Sequence, residues 1–201
     1  MNAHTLYLAS GSPRRREILE HLGYTVLRLS ADIDETPHSG ETADDYVLRM
    51  AVEKNQAAQT KWAAEHENAP AFPLLTADTT VALNRQILGK PENEAHAAEM
   101  LRALSGSTHQ VLTAVCVSFQ GQMHFAVQTS DVQFAELSEA EIAAYIRSGE
   151  PMDKAGAYGI QSTAGVFIRH LSGSFTGVMG LPVHETCGLL ARCGCPTPPF
   201  A

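Results

Sequence analysis

The sequence is short of charge, of cysteine and of long apolar runs. Charged residues make up only 18% of its 201 positions, and 14 Lys and Arg against 22 Asp and Glu leave a net charge of −8. Duplex and lipid phosphates repel so anionic a chain at long range, which argues against a general nucleic-acid or membrane binder. A small polyanion stays within reach if the few basic residues converge. The four cysteines include no C-x-x-C pair, and Cys193-Gly194-Cys195 is too tight for an easy disulfide or a zinc knuckle. Free thiols in a reducing cytoplasm are the expectation. No apolar run approaches the ~18 residues of a membrane span. Leu6 to Ala9 precede Arg14 to Arg16, the reverse of a signal peptide. The histidines form no H-x-x-x-H or H-E-x-x-H pair and no G-x-S-x-G occurs, so neither a zinc site nor a serine hydrolase elbow is expected.

What is present is an alternation of short apolar runs and capped helices. The length suits one large domain or two closely joined lobes. Thr5 to Ala9 reads as a buried strand. Ser12 as N-cap and Pro13 at the first helical position start a helix to about Leu22, closed by Gly23. A strand from Tyr24 to Leu29 and an acidic loop from Asp32 to Glu41 follow. Thr42 with Asp45 opens a long helix reaching about His66. Leu74 to Ala77 and Val81 to Leu83 are strand-like, and Asn84-Arg85 turns the chain back through Ile87 to Pro91. A helix spans about Glu94 to Leu104. Val111, Thr113, Val115, Val117 and Phe119 then alternate on one strand face, with a hairpin at Gln120-Gly121 and a return strand from Gln122. Ser138 with Glu141 caps a helix to about Ser148, a glycine-rich stretch runs to Gln161, Val166 to Leu171 is a strand, and Val183 to Leu190 lies in the last helix. The order predicts an α/β mixed sheet flanked by helices. Residues 1–195 read as a single domain and 196–201 as a flexible tail.

Three constellations carry chemistry. Ser10-Gly11-Ser12-Pro13-Arg14-Arg15 joins a strand end to a helix start, where free N–H groups, a close backbone approach at Gly11 and two forked arginines suit a phosphate. Arginine in a first helical turn opposes the helix dipole, which hints at a compensating anion. On the long helix, Val47, Met50, Ala51 and Ala58 form an apolar stripe, and Lys54 falls on it, so its ammonium should point inward or into a cleft. Snorkelling past the stripe edge is the bland alternative. Asp78 follows a buried strand, where open α/β sheets place ligands, and Lys90 sits in Gly89-Lys90-Pro91. Glu35 could join Asp78 in holding a divalent cation through hard oxygens. Asp32-Ile33-Asp34-Glu35-Thr36 also matches D-x-D-x-T of dehalogenase-type phosphatases. That motif needs a buried strand before it, which Arg28 and Ser30 interrupt, so it reads as a chance match.

Together these blocks, with Glu53-Lys54, Ala77-Asp78-Thr79, Leu104-Ser105-Gly106, His109, Gly149 to Gln161 and Gly180-Leu181-Pro182, resemble the Maf family of nucleotide pyrophosphatases along nearly the whole chain. The resemblance implies an inosine-triphosphatase-like, two-lobed fold with a central cleft. It implies cleavage of a nucleoside triphosphate between the α and β phosphates, a divalent cation (Mg²⁺ or Mn²⁺), a cytoplasmic location and a homodimer. It implies Asp78 as proton acceptor and links Arg14, Thr79 and Gln161 to base preference. Ser10, Ser12, Arg15, Lys54 and Lys90 are then phosphate contacts, and Glu35 with Asp78 the metal ligands. Thr79 resembles the dTTP/UTP branch, with a role in cleaning the nucleotide pool or in cell-division arrest. Asn55 departs from the usual Ala, Arg85 from a turn Gly, and Ser174-Phe175-Thr176 varies the last loop. Two other readings are a non-catalytic nucleotide-binding regulator of cell division and a dehalogenase-type phosphatase.

Overall fold

In the computed structural model, which describes residues 4–30 and 32–198, the first strand, β1 (Thr5–Ala9), is buried at every residue. It lies between two parallel neighbours, β2 (Thr25–Leu29) and β3 (Leu74–Leu83), the position in which strands read as unbroken apolar runs. β4 (Gln86–Leu88) folds back on β3. β5 (Thr108–Phe119), β6 (Gln122–Phe134) and β7 (Ile168–Ser172) continue the sheet antiparallel, in the order β2-β1-β3-β5-β6-β7. This is the mixed sheet that the element order predicts. The two apolar pieces around Asp78 are one strand, not two.

The helices begin where their caps say. α1 (Pro13–His21) has Pro13 in its first turn, and Gly23 closes it at φ +91°. Ser12 holds the N-cap position, but its hydroxyl makes no capping bond; instead its N–H donates to Ser10 Oγ at 3.2 Å. α2 (Ala43–Glu65) starts with Thr42 Oγ1 accepting from the Asp45 N–H. α3 (Glu94–Leu104) is capped by Asn93, and α4 (Glu139–Arg147) has the full reciprocal box of Ser138 and Glu141. Between α4 and β7 the chain forms three 3₁₀ turns, Glu150–Asp153, Ala155–Ala157 and Thr163–Phe167. The last of these delays β7 to Ile168. α5 (Phe175–Val178) and α6 (Val183–Arg192) complete the chain. Residues 196–198 lie against the start of the sheet: His4 Nδ1 is 3.0 Å from the Pro196 carbonyl, and Tyr24 Oη donates to Thr197 Oγ1 at 3.2 Å. Residues 199–201 of the expected tail lie outside the described residues.

β5 carries the expected alternation, with Val115, Val117 and Phe119 on one face, and adds a second covered face. Val111 to Ser118 are all buried, so both faces are covered, not one. Leu112, Ala114 and Cys116 pack with Val47 and Ala51 of α2, while Val115 and Val117 join Leu6, Leu8 and Ile18 on the opposite side. A separate large cluster gathers α3 and α4 on the far half of the sheet with Phe134 and Phe167. The functional cleft opens near mid-β3, between these masses. There β1 and β3 are paired only at Tyr7–Leu74 and Leu8–Leu75, and their carboxyl ends separate.

Asn84 and Arg85 turn β3 into β4 with φ +51° and +68°, the left-handed pair that a two-residue hairpin requires. An arginine side chain at such a φ costs about 1–2 kcal/mol. Arg85→Gly should therefore stabilise the protein by roughly 0.5 kcal/mol net, the relief of that backbone strain less what glycine loses to unfolded-chain entropy. A urea titration reads this as a higher midpoint with an unchanged slope. Asn55 is accommodated differently: fully buried, it donates Nδ2 to the Leu74 carbonyl at 3.1 Å and accepts from Gln59 Nε2 at 2.8 Å.

Candidate active site

A cleft of about 980 Å³ opens where β1 and β3 part, and it is lined by Ser10 to Arg15, Glu35, Lys54, Asp78, Thr79, Lys90 and Gln161. Every candidate residue thus faces one cavity. Its charged lining balances Arg14, Arg15, Lys54, Lys90 and Lys154 against Asp32, Glu35, Asp78, Glu92 and Asp153, although the chain as a whole is strongly acidic. A Cβ at Gly11 or Gly89 would meet no atom within 4 Å, so the backbone on both sides of the cleft is open to a ligand.

Lys54 is where the helix stripe predicts. Its ammonium lies 2.7 Å from Asp78 Oδ1 and 2.6 Å from Glu35 Oε1. One cation therefore bridges a carboxylate inside a buried strand and one on an exposed loop. Asp78 does not end a strand as the sequence suggested but sits mid-way along β3, paired with Ala114 of β5. Asp78 is only 9% exposed. Burial alone would raise the Glu35 carboxyl, but hydrogen bonding and charge from Lys54, with Lys90 and Arg15 farther away, bring it below its ordinary value. Both carboxylates are hard oxygen donors and converge on one point. That is the donor set from which a small divalent cation takes one or two protein ligands while keeping water and phosphate for the rest. Among the described residues no cluster of three or more His, Cys, Asp or Glu makes an all-protein metal cage.

Arg15 organises the opposite wall. Its Nε donates to the Gly180 carbonyl at 2.7 Å, Nη1 to Ser10 Oγ at 3.0 Å and Nη2 to Thr79 Oγ1 at 3.1 Å. Burial pulls its guanidinium below the usual value, Asp78 opposes this and Arg14 adds to it. The group nevertheless stays charged, as arginine does in proteins. Beyond it the polarity runs in one direction: Thr113 Oγ1 donates to the Gly177 carbonyl at 2.8 Å, so in its 2.9 Å contact with Thr113 the Thr79 hydroxyl is the donor. Thr79 thus has its proton committed and presents only a lone pair to the cleft. The side chains of Arg14 and Lys90 make no hydrogen bond or ion pair among the described residues.

A family model described as Maf-like protein matches residues 5–193. The chain belongs to the Maf family. It is 57% identical over 196 residues to the dTTP/UTP pyrophosphatase of Pasteurella multocida, covering 96% of this chain and 98% of that one. It is 57% identical over 187 residues to the nucleoside triphosphate pyrophosphatase of Haemophilus ducreyi, covering 93% and 94%. Among solved structures, the Ham1 protein of Staphylococcus aureus aligns with a TM-score of 0.46 at 16% identity, over 81% of this chain and 90% of that one.

Within this Maf domain the segment from Gly149 to Gln161 forms the third side of the cleft. Gly156 donates its N–H to the Gly89 carbonyl at 3.0 Å, tying the segment to the turn that carries Lys90. Gly156 sits at φ +68°, and a Cβ there would lie 2.9 Å from Val81 Cγ2. Ala157 beside it is held at φ +61°, a strained conformation of the kind that gathers at functional sites. Gln161 is exposed at the rim. Lys154 is spent within the segment, on the Glu150 carbonyl and Asp153.

Some residues that shape the site went unread in the sequence. Tyr46 and Arg49 grip the loop bearing Glu35. His109, which the resemblance included without a role, supports Tyr158 on the cleft wall. The available signal was spacing: Tyr46, Arg49 and Glu53 recur at three and four residues on the helix that follows an acidic loop. Asp32 to Thr36, the dehalogenase look-alike, lies in a loop outside any strand, where Asp34 Oδ1 accepts from the Thr36 N–H. Cys116 is buried, and burial pushes its thiol up to about 12, which leaves no thiolate for nucleophilic attack.

Proposed function

We propose that this protein is a nucleoside triphosphate pyrophosphatase that hydrolyses dTTP and UTP to the monophosphate and pyrophosphate. The observation that carries the reading is the carboxylate pair bridged by Lys54, set in one cleft with the N-terminus of α1 and the two unpartnered cations Arg14 and Lys90. A triphosphate brings about four negative charges, and phosphoryl-type transfer is mostly positioning and neutralisation of that charge. Relatives with more than half of their residues identical carry this activity in their names.

Each group then has a task. Ser10, Ser12, Arg15, Lys54, Lys90 and the free N–H groups of α1 bind phosphate oxygens. Glu35 and Asp78 would hold Mg²⁺ or Mn²⁺, which supplies further neutralisation of the phosphates and orients them. As phosphate oxygens enter, the Lys54 ammonium exchanges part of its carboxylate contact for them. Asp78 orients the attacking water and accepts its proton as the water closes on the α-phosphorus. Residues 1–195 act as one catalytic domain, which we place in the cytoplasm as a homodimer. Among the described residues no helix is long and apolar enough to cross a membrane.

Base choice follows from the committed hydroxyl. Thr79 presents a lone pair, so it suits a base edge that donates, as N3–H of thymine and uracil does and N3 of cytosine does not. Arg14 and Gln161 complete the base contacts. An unpaired polar group in the closed site then penalises the wrong base. Pyrophosphate release from a panel of canonical and modified triphosphates, with Mg²⁺ and with Mn²⁺, tests this. dTTP and UTP should exceed dCTP and CTP by about a hundredfold in kcat/KM. A preference for guanine nucleotides would overturn the base assignment, and orthophosphate as product would overturn the reaction.

A further inference from the structure

Glu35 reaches the cleft from a loop, residues 32–41, that contains no strand or helix. Its carboxylate is 48% exposed, so neither sheet pairing nor core packing explains why it stands beside Asp78. The loop is instead held from α2. Tyr46 Oη donates to the Glu35 carbonyl at 2.9 Å. Three residues along the same helix face, Arg49 donates Nη2 to the Thr36 carbonyl at 3.2 Å. The same guanidinium clamps the far end of the loop, with Nε 2.6 Å from Glu41 Oε1 and Nη2 2.7 Å from Oε2. Its carbon lies 5.7 Å from the centre of the Tyr46 ring, which stacks the two grips on one another.

The geometry is that of a clasp. Two successive carbonyls, those of Glu35 and Thr36, are fixed by side chains of α2, while Lys54 on the same helix receives the Glu35 carboxylate. A tyrosine hydroxyl and an arginine guanidinium are both donors throughout the neutral range. Arg49 pulls Glu41 down to about 2, so the clamp also stays charged.

We propose that Tyr46 and Arg49 are positioning residues that hold Glu35 at the cleft, so that its carboxylate is in place before a nucleotide and its divalent cation arrive. This rests on the reading above in which Glu35 serves the reaction. Without the clasp the carboxylate must be ordered at the moment of binding, and the cost appears in cation affinity more than in kcat.

Tyr46→Phe, Arg49→Met and Arg49→Lys, each alone and combined with Glu35→Gln, provide the test. Two readouts apply: the Mn²⁺ concentration giving half-maximal pyrophosphate release, and Mn²⁺ binding without turnover, followed by loss of the free-ion paramagnetic resonance signal with a non-hydrolysable dTTP analogue. Tyr46→Phe and Arg49→Met should each weaken Mn²⁺ by about three- to tenfold, the scale of one or two lost hydrogen bonds. kcat should change less than twofold, and Arg49→Lys should recover part of the loss. In the Glu35→Gln background the same substitutions should change Mn²⁺ affinity less than twofold, because the group they position is gone. Equal losses with and without Glu35 would overturn the proposal, as would wild-type Mn²⁺ affinity in both single variants. Tyr46→Phe removes only a hydroxyl, so the test survives if Arg49→Met does not fold. Wild-type behaviour of Glu35→Gln itself would overturn the role of Glu35 first and the proposal with it.

Discussion

Asp78→Asn should lower kcat for dTTP by about a thousandfold or more, the scale on which a positioned general base acts. The substitution keeps the shape and one oxygen acceptor for the Lys54 ammonium at 2.7 Å, so the fold should survive it. Lost are the charge and the basicity. A neutral amide cannot take the proton of the attacking water, and it leaves Lys54 sharing its charge with Glu35 alone. KM should move far less than kcat, because Arg14, Lys90 and the N-terminus of α1 still meet the phosphates. Phosphorus NMR of the reaction, with thermal melting as a folding control, provides the measurement. A variant that kept a tenth of wild-type turnover would remove Asp78 from the chemistry. The same protein separates enzyme from regulator: an effect on cell division that persists with Asp78→Asn belongs to nucleotide binding, not to hydrolysis.

Much of this arrangement was legible because it rests on local rules. Pro13 and Gly23 bracket α1, Ser138 and Glu141 open α4, and both act over a few residues. Lys54 was legible because a charged residue on an apolar helical stripe has few places to go. Asp78 was legible because an acid inside an apolar run has few places to go, although the run continues past it and Asp78 lies mid-way along β3, where the shorter β1 has ended. What went unread has a different cause. On β5, the alternation of Val111, Thr113 and Val115 obscured the fact that the intervening Leu112, Ala114 and Cys116 are themselves apolar; only the arrival of α2 across the sheet shows that both faces are covered. Tyr46 and Arg49 sit on the polar side of α2, and nothing local distinguishes a solvated face from one that clasps a loop. The hydroxyl of Ser12 looked committed to a cap, yet the structure leaves it without a capping bond beside the open backbone at Gly11. α5, four residues long, is too short to show a period.

Acid should loosen the cleft wall through His109. This imidazole is 2% exposed, with Phe134 and Tyr158 edge-on to it at 5.1 Å and 5.4 Å. Nε2 shares a 2.7 Å hydrogen bond with the Tyr158 phenol, and Nδ1 has no partner among the described residues. Burial brings its pKa from 6.5 down to about 4. The unfolded chain, with a histidine near 6.5, therefore takes up a proton before the native state does as pH falls. Stability from this group is complete above about pH 6.5 and declines through the window down to about 4, where it is lost, by about 3 kcal/mol in all. Glu41, held down to about 2 by Arg49, loses its contribution only at lower pH, as the medium falls below ordinary carboxylate values. The two windows are thus separable. Urea unfolding of the wild type between pH 7 and pH 4 should show the decline, and His109→Gln, which can still bond Tyr158 but cannot titrate, should flatten it. The wild type should also lose turnover ahead of global unfolding, because Tyr158 belongs to the segment that Gly156 ties to the Lys90 turn. An identical slope in His109→Gln would mean that another group senses the acid and that the imidazole is not held neutral.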